Sequence, residues 1–465
     1  MSSPILWIAL PFTVGTFILL FINEKYATWI GGTLCALLSL TAFFIPIDTA
    51  LLLGTLSIKI APAVQFFGRS FELNTADGAL LTIIYGVATL WFFGAQVSGT
   101  ATRFVSLGLM IISLLTASLA VEPFLYAALL LEVAAMLVIP LLLPTTQKAN
   151  QGVARFLIYQ TLAMPFILFS GWLLAGVEAS PTNIGSTTLS GTMLSIGFAF
   201  LFSVFPFYNW IPSLMEENSP YASGFLLWAL PTFTTIFALG FLDRYTWLRT
   251  SPQLINALQF TGVFMVASGG IFASLQKHIG RIFAYATIAE TGLILLAFSI
   301  QNIDIVILTI SILLVRGIEL PTWALALSIL KQNSNSLKFS DLQGFFRKFP
   351  IATISLIIVH LSMLGFPLLA GFPTRLAIWQ LMANISPTLL IWLFMGAMGL
   401  LIAAVRTLAV FVMTDEESNW KLNEGWVQIT MLGLGVSGLF ILGLLPQALN
   451  PLLKHLPALF ERLSQ

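Results

Sequence analysis

Charge is what this 465-residue sequence has least of: Lys, Arg, Asp and Glu make up 8% of it, where an ordinary soluble domain carries about a quarter. A soluble globular protein is thereby excluded. The 20 basic and 19 acidic side chains nearly cancel, to a formal +1, so no basic field exists for nucleic acid and no acidic field for cations. The single cysteine, Cys35, lies in an apolar run and can form no intrachain disulfide. His278, His360 and His455 are far apart, and neither metal-ligand spacing nor a glycine-rich phosphate loop after a strand is visible. No cofactor or metal is expected in this chain, and redox chemistry would belong to partner chains.

What is abundant is apolar: 58% of residues are hydrophobic and the mean hydropathy is +0.96. Runs of about 20 apolar residues recur along the whole length, each enough to cross a hydrocarbon core roughly 30 Å thick as a helix. The fold class is therefore an all-α polytopic membrane protein. Spans are expected near Ile5–Ile22, Thr28–Ile45, Asp77–Gln96, Phe104–Ala120, Pro123–Leu143, Phe156–Gly176 and Thr187–Pro212. They continue at Tyr221–Phe241, Leu254–Gly270, Arg281–Phe298, Ile303–Leu330, Ile351–Ile385, Pro387–Val412 and Gly425–Leu445, about 14 by the length rule. The first span has no basic n-region or small-residue cleavage site, so it reads as a retained helix.

Numbering loops alternately collects Lys25, Arg103, Lys148, Arg155, Lys277, Arg281, Lys331, Lys338, Arg347, Lys348 and Lys421 on one side. Lys59, Arg69, Arg244, Arg249, Lys454 and Arg462 fall on the other. The positive-inside rule makes the first side cytoplasmic and places both termini outside, in a cytoplasmic or equivalent energy-transducing membrane. The segment Asp48–Asn74 alternates and is expected to form an external β-hairpin.

Two spans carry the same punctuation. Phe205-Pro206 is followed by Pro212, and Phe366-Pro367 by Gly371 and Pro373. Proline removes a backbone donor, and freed carbonyls are tolerated in lipid only where protein or a water-filled cavity answers them. Both helices are expected to break near mid-membrane, and matching interruptions in two halves point to inverted repeats; two ordinary proline kinks are the alternative.

An ionisable side chain at a helix centre costs at least about 2.5–3.5 kcal/mol on insertion scales, so those present are retained for a partner or a pathway. Glu132 lies about ten residues from either end of its span. Glu290 lies about two turns into its helix and can accept protons. Arg316 and Glu319 are three apart, share a helix face and can pair, which makes them either a self-neutralised structural pair or a relay. Arg375 follows the second broken helix and is expected to face an interior or to snorkel to the headgroups. His360 is mid-span, where a lone histidine is usually a hydrogen-bonded packing residue. Glu216 and Glu217 are expected in a short cytoplasmic connection beside the first broken helix, as solvated carboxylates or a proton entrance.

Four segments resemble one family. Leu-Leu-Leu-Glu132 after Pro-Phe-Leu-Tyr126 resembles a fifth-helix glutamate motif, and Phe205-Pro-Phe-Tyr-Asn-Trp-Ile-Pro212 a Phe-Pro-Phe-His-x-Trp-Leu-Pro signature. Gln276 to Ala289 resembles a Gln-x-Asp-Leu-Lys-Arg-Leu-Leu-Ala-Tyr-Ser-Ser-Ile segment. Asp341-Leu-Gln-Gly344 with Gly365-Phe-Pro-Leu-Leu-Ala-Gly-Phe372 completes the set. From about Phe71 to Val412 the chain thus resembles the antiporter-like membrane subunits of respiratory complex I and of multi-subunit cation/proton antiporters.

That resemblance implies two inverted five-helix repeats, each with a broken helix, and a mid-membrane line of buried charges. It divides the chain into residues 1–103, repeats at 104–245 and 246–413, and a C-terminal helix and tail at 414–465. Carried over by position, Glu132 matches the fifth-helix glutamate, Arg375 the twelfth-helix lysine or glutamate, and Arg316 falls near an eleventh-span lysine. Glu290 stands where many members carry histidine. Three positions depart: the broken-helix lysine falls on Leu201, the signature histidine on Tyr208, and the next helix's lysine on Thr232.

With no lysine inside any expected span, Glu132 lacks its usual cationic partner and the first half-channel reads as degenerate. The implied function is a membrane-arm subunit of a complex I-like NAD(P)H-quinone oxidoreductase or related assembly. It would contribute to proton translocation among other membrane subunits and would not be catalytic alone. The alternatives are a non-conducting spacer and a subunit of a cation/proton antiporter or inorganic-carbon uptake system.

Overall fold

Apolar runs of this length leave backbone donors and acceptors only one another as partners, and they close into helices. The computed structural model describes residues 2–53, 56–66, 68–100, 103–143, 150–179, 184–300, 304–413, 420–460 and 462–463. Lys148, the start of the span placed at Ile303 and the boundary at 414 lie outside the described residues.

The helices that build the body are α1 (Ile5–Phe21), α2 (Glu24–Phe44), α3 (Asp77–Ala95), α4 (Phe104–Ala120), α5 (Ala127–Leu142), α6 (Gln151–Ala179), α7 (Ile184–Leu201) and α8 (Trp210–Glu217). They continue as α9 (Pro220–Arg244), α10 (Pro252–Leu275), α11 (Ile279–Phe298), α12 (Asp304–Gln332), α13 (Pro350–Leu364), α14 (Gly371–Ile385), α15 (Pro387–Val412) and α16 (Trp426–Leu444). Among the described residues ten helices are long and apolar enough to cross a membrane, and four shorter apolar ones accompany them. The chain is an integral membrane protein.

The Asp48–Asn74 segment forms two hairpins rather than one. Strands β1 (Ala50–Leu53) and β2 (Leu56–Lys59) pair antiparallel, as do β3 (Ala63–Phe66) and β4 (Arg69–Glu72), and the two-residue β5 (Val121–Glu122) adds to β4. Ser3 ties the N-terminus to this face through its hydroxyl, which donates to the carbonyls of Pro62 and Leu73 at 3.0 Å each. The C-terminal stretch reaches the same face, where the Arg462 and Leu463 amides donate to Asp243 at 2.9 Å.

Both punctuated spans break. α7 ends at Leu201, Ser203 takes a left-handed φ of 51°, and α8 restarts at Trp210. Trp210 staples this break, its indole N–H donating to Ser203 Oγ at 2.9 Å. α13 ends at Leu364, Gly365 follows it with a left-handed φ of 86°, and α14 restarts at Gly371. Pro212 and Pro373 each occupy the third position of the restarted helix, where a missing N–H costs no helical bond. This corrects the expected end of the seventh span: Pro212 opens a helix rather than closing one, and the helix carries on to Glu217. The two breaks run in opposite senses, α7 entering from the face that holds the termini and α13 from the other.

α12 runs through the centre and packs on α3, α9, α11, α13, α14 and α16. α10 lies between α11 and α15, where Gly270, Gly396 and Gly399 bring the two backbones into contact; a Cβ on any of them would strike the opposing main chain.

Candidate functional site

Four of the expected residues converge where the second break meets α11 and α12. Glu290 is on the twelfth residue of α11, three turns in, and is 3% exposed. Arg316 on α12 and Arg375 on α14 flank it: Arg316 Nη1 is 4.0 Å from Glu290 Oε2 and Arg375 Nη2 is 3.8 Å from Glu290 Oε1. One carboxylate is thus shared by two buried guanidinium groups. Arg316 is anchored further by donating from Nη1 to Thr291 Oγ1 at 3.3 Å and from Nη2 to the Leu227 carbonyl on α9 at 2.9 Å.

The second break explains how Arg375 faces inward rather than snorkelling. Its aliphatic stem lies against Gly365, where a Cβ would collide with it, and the positive φ there suits glycine. Gly371 opens α14 with its N–H donated to the buried Ser362 Oγ at 3.2 Å. Glu319 lies beside Gly371, and both of its carboxylate oxygens lack a hydrogen-bond partner among the described residues. The Arg316–Glu319 pair anticipated from their three-residue spacing is therefore replaced by Arg316–Glu290, because anchors on α9 and α11 draw the guanidinium away.

Glu132 stands apart. It is buried on α5, its Oε1 accepts from Thr161 Oγ1 at 2.7 Å, and its Oε2 has no partner among the described residues. Leu201 ends α7 in a buried position, and the Thr232 hydroxyl turns back to the Trp228 carbonyl at 2.6 Å. Between this region and Arg316 lies a cavity of about 20 Å³, lined in part by Gln160, Leu201, Ser203, Thr287, Thr291 and Arg316. That volume admits one water molecule, for which about 10–15 Å³ suffices. His360 is fully buried, with its ring 5.0 Å from that of Trp323.

Glu216 and Glu217 occupy the last turn of α8, not a loop. Glu216 pairs with Arg281 at 3.3 Å, and Glu217 accepts from the Gly152 amide at 3.2 Å. Glu217 also lines a cavity of about 410 Å³ with Ser98, Thr100, Asn218, Ser328 and Lys331. Lys331, on the last turn of α12, donates to the Asn218 carbonyl there at 2.8 Å. Nearby, His278 precedes α11, and burial lowers its pKa below the ordinary imidazole value, Glu216 opposing the shift and Lys331, Arg281 and Lys338 adding to it.

Sequence reasoning missed Thr291, the Leu227 carbonyl, Gly365 as a platform for Arg375, and the polar cavity above Glu217. Among the described residues no group of three or more His, Cys, Asp or Glu side chains is placed to hold a metal.

Residues 174–403 match the family described as NADH:quinone oxidoreductase/Mrp antiporter, transmembrane. The chain is 26% identical over 448 residues to NADH-quinone oxidoreductase subunit 14 of Thermus thermophilus, covering 90% of this chain and 96% of that one. Its fold is that of a chain in respiratory complex I from Thermus thermophilus, with TM-score 0.82, 18% identity and full coverage of both. A chain of an archaeal membrane-bound sulfane sulfur reductase superposes with TM-score 0.80 at 16% identity, over 100% of this chain and 99% of that one.

Proposed function

We propose, from the match of residues 174–403 to the NADH:quinone oxidoreductase/Mrp antiporter family, that the chain is a proton-translocating membrane subunit of a complex I-like respiratory assembly, working among other membrane subunits. The observation that carries the reading is Glu290 held between Arg316 and Arg375 beside the second broken helix. A carboxylate in a dry interior keeps its charge only through such neighbours, so taking up or losing a proton there changes its ion pairs. Glu319, buried at the same break and without an ion-pair partner among the described residues, is the second proton-carrying group. Arg316 and Arg375 set the field and keep their own protons.

In this reading residues 104–245 and 246–413 are the two inverted repeats, a division supported by the opposite senses of the two breaks. Protons enter from the face of the Glu217 cavity, which carries the larger share of loop lysines and arginines and is the cytoplasmic side. The termini then lie outside. The first half is degenerate as a switch: among the described residues Glu132 has Thr161 as its hydrogen-bond partner, and Leu201 and Thr232 stand where cations would modulate it.

The test is proton flux by the purified assembly in proteoliposomes, driven by its own electron donor. Glu290→Gln is expected to abolish coupled flux while electron transfer between partner subunits persists. Unchanged coupling in Glu290→Gln and in Glu132→Gln with Arg375→Ala would leave the chain a spacer that docks its neighbours, the reading the two missing cations favour.

A further inference from the structure

α9 contains Pro231, and a proline has no N–H to give to the carbonyl four residues earlier. That carbonyl belongs to Leu227, and it is the one that accepts from Arg316 Nη2 at 2.9 Å. An unanswered carbonyl inside a membrane protein is expensive, as is a guanidinium short of acceptors, and here each satisfies the other. Pro231 and Leu227 also line the small cavity into which Arg316 points.

We infer that Pro231 is a positioning residue of the buried charge cluster: by freeing the Leu227 carbonyl it holds Arg316 on Glu290 and away from Glu319. The two carboxylates thereby receive different environments although both lie close to α12. Glu290 is flanked by two arginines, whereas Glu319, one turn from Arg316 on the same helix, has no ion-pair partner within 4.0 Å among the described residues and faces Glu290, Ser362 and Arg375. The proline acts across a helix boundary, from the last helix of the first proposed repeat onto a charge in the second. This inference rests on the proposed proton role for its functional readout and on geometry alone for its structural one.

The experiment compares the assembled complex with its Pro231→Ala form. The introduced alanine supplies an N–H to the Leu227 carbonyl, so Arg316 is expected to leave that oxygen and ion-pair with Glu319 in the variant's structure. The pH profile of coupled flux is expected to change shape, because Glu319 gains a cation and moves toward acid while Glu290 loses one and moves toward alkali, each by about one unit. Added to Arg316→Met, Pro231→Ala is expected to do nothing more. An Arg316 still bonded to Leu227, a flux lowered equally at all pH values, or an additive effect in the double variant overturns the inference. If Pro231→Ala does not assemble, Arg316→Lys reads the same anchor, since lysine lacks the two separate terminal nitrogens that Arg316 places on Glu290 and on the Leu227 carbonyl. It too must shift the profile, and an unshifted one refutes the inference. A complex that conducts no protons in any form refutes the proton role, and the structural arm still decides the anchor.

Discussion

Replacing Glu290 by glutamine separates structural from functional need most sharply. The substitution removes the only ion-pair partner that either Arg316 or Arg375 has among the described residues, at 4.0 and 3.8 Å. At an effective dielectric near 20, each arm corresponds to roughly 4 kcal/mol of attraction before desolvation. Removing one member of a buried pair costs about 3–5 kcal/mol because the remaining charge is left uncompensated. Two guanidinium groups are stranded here, so Glu290→Gln belongs at or above the upper end of that range. Glu132→Gln provides the contrast. Glutamine still accepts from Thr161, and no cation is stranded, so its cost is about 1 kcal/mol or less. The assay is thermal denaturation of the purified assembly with matched variants. A Glu290→Gln assembly no less stable than Glu132→Gln would refute the shared-carboxylate argument.

Other substitutions test other parts of the same architecture. Gly365→Ala forces a left-handed residue to carry a Cβ into the stem of Arg375; about 1–3 kcal/mol of strain is expected, seen as lower assembly yield. Glu424 accepts from the Ile351 and Ala352 amides at 2.8 and 3.1 Å and so caps α13 from a distant segment. Glu424→Ala is expected to cost about 1–2 kcal/mol and to speed hydrogen exchange at the start of α13, with unchanged exchange counting against the cap. Arg244–Glu122, at 2.6 Å but some two-fifths exposed, is expected to contribute under about 1 kcal/mol, so Glu122→Gln leaves the melting temperature nearly unchanged. For His278, whose folded pKa lies below its unfolded value near 6.5, the unfolded chain binds the proton first on acidification. Stability therefore falls as pH drops below about 6.5, and His278→Gln is expected to flatten that slope in a melting-temperature series.

What the sequence disclosed about this chain follows from what is local. Helices and breaks were legible because apolar runs and the Phe-Pro pairs act within a few residues. The end of the seventh span was misplaced at Pro212 because proline marks the first turn of a helix as readily as its end, and only the fold tells which. The burial of Glu132, Glu290, Arg316, Glu319 and Arg375 was legible from their apolar surroundings. Their pairing was not. Glu290 and Arg375 meet across 85 residues of chain, and the Arg316 anchor on Leu227 is set by a proline on another helix. The Arg316–Glu319 spacing suggested a local pair because sequence shows neighbours on one helix and hides competitors on the next.

Glu290, Glu319, Arg316 and Arg375 balance electrically only when both carboxylates are ionised. Each proton taken up leaves one uncancelled positive charge inside a medium that screens it poorly. Such a charge is felt by every ionisable group in the same dry interior without any helix moving. The cluster therefore works as a voltage source for its surroundings, and its output changes by one elementary unit per proton.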